Sequence, residues 1–110
     1  MYPKEYNLNL IVDTFILNVY SLESKKEPRK ACTYIVEEFH EFFQKDTIVV
    51  NKIISNIEYD KLSSWSLMAL LRMTYHVNYK IDNWNNLLSF TKQYLEDNNL
   101  DSKKELCGLE

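Results

Sequence analysis

Placed at steps of about 100° around a helical axis, Leu8, Ile11, Val12, Phe15, Ile16, Val19 and Leu22 fall within about 140° of arc, and Asn7, Asp13, Thr14, Asn18 and Ser21 fall outside it. This spacing predicts a first helix over about residues 4–22, with Pro3 acceptable at its start. Leu10 and Leu17, seven apart, form a second narrow stripe. The competing reading is a hairpin turning at Asp13-Thr14, but Asp-Thr is a poor two-residue turn. A second helix is expected from Pro28 to about Lys45, with Ala31, Cys32, Ile35, Val36, Phe39, Phe42 and Phe43 as its apolar stripe and Glu37, Glu38 and Glu41 outward. A third begins near Asp46 or Thr47, either of which can cap free N–H groups, and carries Val49, Val50, Ile53, Ile54 and Ile57. The β-branched run Thr47–Val50 leaves a short strand as the alternative there.

The fourth helix, about residues 63–77, starts with Ser63 as N-cap and Leu62 and Leu67 as a hydrophobic staple. It is apolar nearly all round, through Trp65, Leu67, Met68, Ala69, Leu70, Leu71, Met73, Tyr75 and Val77, which predicts a central, buried element. A fifth helix starts at Asp82 or Asn83, places Trp84, Leu87, Leu88, Phe90, Thr91, Tyr94 and Leu95 on one side, and stops at Asp97-Asn98-Asn99. A short last helix reads from Ser102, with Glu105 completing a capping box and Gly108 as its stop. The expected fold is all-α: one domain, a bundle of five main helices plus a short C-terminal one.

Composition sharpens this picture. One Gly in 110 residues argues against a protein of tight hairpins and excludes glycine-rich phosphate loops. Fifteen aromatics exclude disorder as the main state. The longest apolar stretch, Leu8 to Leu22, is interrupted by Asn9, Asp13 and Asn18, so no membrane span is expected. The start, Met1-Tyr2-Pro3-Lys4-Glu5, lacks the basic-then-apolar pattern of a secretory signal, which leads to a cytoplasmic expectation with Cys32 and Cys107 as free thiols. Abundant Asn, Lys, Ile and Tyr beside scarce Gly, Ala, Arg and Pro point to an AT-rich genome, such as that of a phage or mobile element.

Candidate chemistry is sparse. Glu37-Glu38-Phe39-His40 contains a Glu-x-x-His, but di-iron bundles need two such motifs, and His76 has Met73 where the second Glu would be. His40-Glu41-Phe42-Phe43-Gln44 has Gln where H-E-x-x-H needs its second His. Two histidines and two distant cysteines do not assemble a zinc set, so neither metal nor cofactor is expected, and no catalytic residues are assigned. Cys32 lies in an apolar stripe, where a thiol is usually filler.

Two surface candidates remain. The first is Arg72, the one Asp, Glu, Lys or Arg between Lys61 and Lys80, which shares a face with Met68, Tyr75, His76 and Tyr79 and is followed by Trp84. Tyr, Trp and Arg are enriched at binding hot spots, so Arg72, Tyr75, His76, Tyr79 and Trp84 form the expected partner-binding site. The bland alternative is an Arg that snorkels from the core or pairs with Asp82. The second candidate is the cluster Lys25, Lys26, Arg29 and Lys30 at the start of the second helix, where positive charge opposes the helix dipole. The net charge of −3 disfavours nucleic acid as the main partner. A helix-turn-helix is also disfavoured, because the fifth helix offers only Lys92 and Gln93 as base readers. The expected function is a non-catalytic protein-interaction module: an inhibitor, immunity protein, antitoxin or adaptor. A nucleic-acid-binding regulator using residues 25–30, or a subunit of a larger assembly, stands behind it. The pattern does not define an oligomeric state.

Overall fold

The computed structural model describes residues 8–43 and 46–109. Those residues form an all-helical globule: α1 (Leu8–Ser24), α2 (Pro28–Glu38), α3 (Thr47–Asn56), α4 (Ser64–Thr74), α5 (Trp84–Asp97) and the short α6 (Ser102–Glu105). There is no strand among the described residues, and Thr47–Val50 is helical. The Asp46 carboxylate accepts a hydrogen bond from the Val49 N–H at 3.2 Å, which is the cap that lets a β-branched run begin a helix. Pro28 opens α2, where its missing N–H leaves no bond unmade. The end of α2 passes into a π-helical turn, Phe39–Phe43, and the expected end near Lys45 lies outside the described residues, as do residues 4–7 of the first expected helix.

Helix stops are made with almost no glycine. Lys26 has φ 59° and Asn99 has φ 62°. At each, the following N–H reaches back five residues, Glu27 to the Leu22 carbonyl and Leu100 to the Leu95 carbonyl, in the Schellman pattern. α1 therefore runs two residues past Leu22. Gly108 has φ 89° after α6. The cap of α6 is Asp101 rather than Ser102: the Asp101 carboxylate accepts from the Lys103 and Lys104 N–H groups, and the Ser102 hydroxyl donates to Glu96.

One apolar cluster runs through α1 to α5 and takes in Leu106 and Leu109 after α6, with Phe15, Phe39 and Phe43 in mutual edge-on contact. α4 is central, packed mainly against α2 and next against α5. The Ser63 hydroxyl accepts from the Ser66 N–H, and both the Ser63 N–H and its hydroxyl donate to the Glu23 carboxylate, at 2.6 and 2.9 Å. This clamp joins the end of α1 to the start of α4 and fixes the direction in which α4 leaves.

α4 is shorter than residues 63–77. The Thr74 hydroxyl donates back to the Leu70 carbonyl at 2.6 Å, and the chain tightens into a 3-10 segment, Tyr75–Lys80, kinked at Val77. Nor is the helix buried all round. Leu67, Leu70, Leu71 and Thr74 are fully buried, but Trp65 is 46% exposed and Arg72 and Tyr75 are also open to solvent. Leu10 and Leu17 likewise stand exposed on α1, opposite its buried stripe.

Candidate functional site

The exposed side of α4 is built by a 3-4 alternation. Trp65, Met68, Arg72 and Tyr75 recur three and four residues apart, which sets them along one side of α4, Met68 half-buried against the core and Trp65, Arg72 and Tyr75 exposed. Tyr75 is 43% exposed and Tyr79 is 77% exposed, and His76 is exposed beside them. The tightening after Thr74 and the kink at Val77 carry Tyr79 clear of the packed body.

Four of the five residues expected at the partner-binding site lie on this exposed surface: Arg72, Tyr75, His76 and Tyr79. Trp84 does not. It is only 4% exposed, and its indole N–H donates to the Thr74 hydroxyl at 2.8 Å. As the first residue of α5 it turns inward, because an indole can give its large apolar area to the core once its one donor is matched. Trp84 still supports the surface from beneath, its ring 6.0 Å from that of Tyr75.

Arg72 does not pair with Asp82. It donates to the backbone carbonyl of Glu105 at 3.2 Å, so α6 flanks the face on one side. The Asp82 N–H and carboxylate are both engaged by the Asn51 side chain.

The residue missed from sequence is Trp65. Its setting in an apolar run concealed it, yet the Arg29 guanidinium lies over its ring at 5.5 Å. Spacing alone carried a signal, since Trp65 stands seven residues before Arg72. The second candidate cluster is thus divided by the fold. Arg29 joins the α4 face, whereas Lys30 pairs with Glu27 at 2.7 Å, holding that carboxyl below the usual carboxylate range. Lys25 and Lys26 are exposed at the turn between α1 and α2. A shallow open groove along α2 is lined by Arg29, Lys30, Thr33, Tyr34 and Glu37. Tyr34 stacks on Phe15 and accepts from Asn18, and burial pushes its phenol pKa up.

Burial pushes the Cys32 thiol up, which keeps it protonated, opposite to what a nucleophile needs. Glu37 and His40 sit exposed on the outer side of α2 and the π-helical turn. Among the described residues no group of three or more His, Cys, Asp or Glu converges as a metal-binding set, and no helix is long and apolar enough to cross a membrane. The chain matches no protein-family model, no curated protein and no solved structure.

Proposed function

We propose that this chain is a small non-catalytic protein-interaction module, of the inhibitor, immunity-protein, antitoxin or adaptor kind, that docks through the outer face of α4 and its 3-10 extension. The supporting observation is the exposure of Tyr75 and Tyr79 beside Arg72 and His76, on a scaffold whose inner face is fully buried. Amphipathic rings give contact area at low entropy cost, and a guanidinium gives directed hydrogen bonds, which suits a protein surface better than a reaction pocket. The remaining expectations belong to the same reading: a cytoplasmic protein from an AT-rich genome, such as a phage or mobile element.

Nucleic-acid binding through Lys25, Lys26, Arg29 and Lys30 is the weaker reading. Lys30 is matched by Glu27, Glu37 lines the same groove, and the chain carries net negative charge.

The test is to measure affinity for the co-purified partner, together with melting temperature, for Tyr79→Ala and Arg72→Ala. The expected result is a loss of about 2 kcal/mol of binding at one or both positions with the melting temperature unchanged. Unchanged affinity in both variants would move the docking surface away from α4.

A further inference from the structure

The Asp, Glu, Lys and Arg residues of α4 and its 3-10 extension are all cations, Arg72 and Lys80. Between Asp60 and Asp82 the sequence has no Asp or Glu, and three exposed cations, Arg29, Arg72 and Lys80, lie along this surface. Arg29 lies over Trp65 at one end, Arg72 stands in the middle, and Lys80 lies 5.6 Å from the Tyr79 ring centre at the other end. Glu105, on the flanking α6, meets Arg72 through its backbone carbonyl. This runs against a net charge of −3 for the whole chain, so the cations are gathered locally.

Shape adds a second constraint. From Trp65 to Tyr79 the stripe is roughly 20 Å long and about one helix wide, at about 1.5–2 Å of rise per residue. Its 3-4 spacing is the pattern that meshes with the i, i+3, i+4, i+7 anchors of another helix.

We infer that the Trp65–Met68–Arg72–Tyr75–Tyr79 face takes an acidic amphipathic helix of a partner protein. The apolar residues of that helix lie on Trp65, Met68 and Tyr75, and its carboxylates lie against Arg29, Arg72 and Lys80. This rests on the reading of α4 as the docking surface and adds the chemistry of what docks. A second copy of this chain is a poor occupant. Two-fold stacking through the stripe sets Arg72 near Arg72 and Arg29 near Lys80, cation against cation with no carboxylate from the stripe between them. The face is also narrow for a stable dimer, which buries about 800 Å² on each side.

The probe is a displayed library of helical peptides about 18 residues long, with Leu fixed at the i, i+3, i+4, i+7 anchors and every other position randomised, selected on the folded chain. The recovered peptides should be rich in Asp and Glu and should shift the NMR resonances of Trp65, Met68, Tyr75 and Tyr79. Affinity should fall at least tenfold in Arg29→Glu with Arg72→Glu, and independently in Lys80→Glu, and should return when the peptide carboxylates are replaced by Lys. All substituted residues are exposed, and the melting temperature checks that each variant folds. Peptides that seat on this face with neutral or basic flanks would overturn the acidic partner while leaving the docking surface in place. Peptides that shift resonances elsewhere only, or a selection that recovers none, would overturn both. A labelled DNA duplex bound at this face more tightly than the peptides would overturn the inference in favour of nucleic acid.

Discussion

The two tryptophans have exchanged the places that their sequence neighbourhoods imply. Trp84 follows a polar, amide-rich loop, yet it is buried and hydrogen-bonded to Thr74. Trp65 opens the most apolar helix, yet it is half open to solvent under Arg29. The same division runs along α4. Its inner residues, Leu67, Leu70, Leu71 and Thr74, are fully buried where α4 packs against α2 and α5, while Trp65, Arg72 and Tyr75 on its outer side stay exposed. Large apolar area therefore does two jobs on one helix. Which job a ring does depends on whether another element covers it.

The sharpest way to break this contrast is to truncate residues on both sides of α4. Leu70→Ala, in a fully buried position, should lower stability by about 2–5 kcal/mol through lost transfer energy and a residual cavity. Trp65→Ala and Tyr79→Ala should cost about 1 kcal/mol or less. Chemical denaturation of the three variants decides the point. Comparable losses at Leu70 and Trp65 would place Trp65 in the core.

Two buried hydroxyls on α4 refine the comparison at smaller scale. Thr74→Val removes the acceptor of the Trp84 indole N–H and should cost about 1–3 kcal/mol, because the donor is left buried and unmatched. Ser66 is buried as well, but its hydroxyl oxygen has no hydrogen-bond partner among the described residues. Ser66→Ala should therefore be neutral or stabilising in the same measurement. A cost at Ser66 like that at Thr74 would mean its hydroxyl is matched after all.

The smallest expected effect is in alkaline pH dependence. Burial pushes the Tyr59 phenol up, and that phenol donates to the Ile54 carbonyl at 2.8 Å, a bond that ionisation would remove. Its folded pKa exceeds its unfolded one. The contribution is therefore complete below the ordinary tyrosine pKa near 10 and is lost as pH rises through the folded value. Tyr34 acts in the same direction. Melting temperature between pH 8 and 11 should fall less steeply in Tyr59→Phe than in the unaltered chain.

Much of the fold was legible because helical period and caps are local properties. The stripes of α1 and α3, the cap at Asp46, the cap at Ser63, and Pro28 at the start of α2 all follow from residues a few positions apart. Arg72, Tyr75, His76 and Tyr79 were legible as neighbours for the same reason, and all four are exposed. What was not legible depends on partners far along the chain. The Glu23–Ser63 clamp joins residues 40 apart, and the Asn51–Asp82 contact joins residues 31 apart.

The sequence by itself determined an all-α chain, the faces its helices can bury, and the absence of glycine loops. Those outcomes are set by side-chain spacing and by backbone preferences within a few residues. Tertiary structure alone decided which apolar residues are covered. Period places Trp65 and Trp84 each on an apolar face but cannot say which face meets another helix. The docking of α2 and α5 on the inner side of α4 made that choice, burying Trp84 and leaving Trp65, Arg72, Tyr75 and Tyr79 outside.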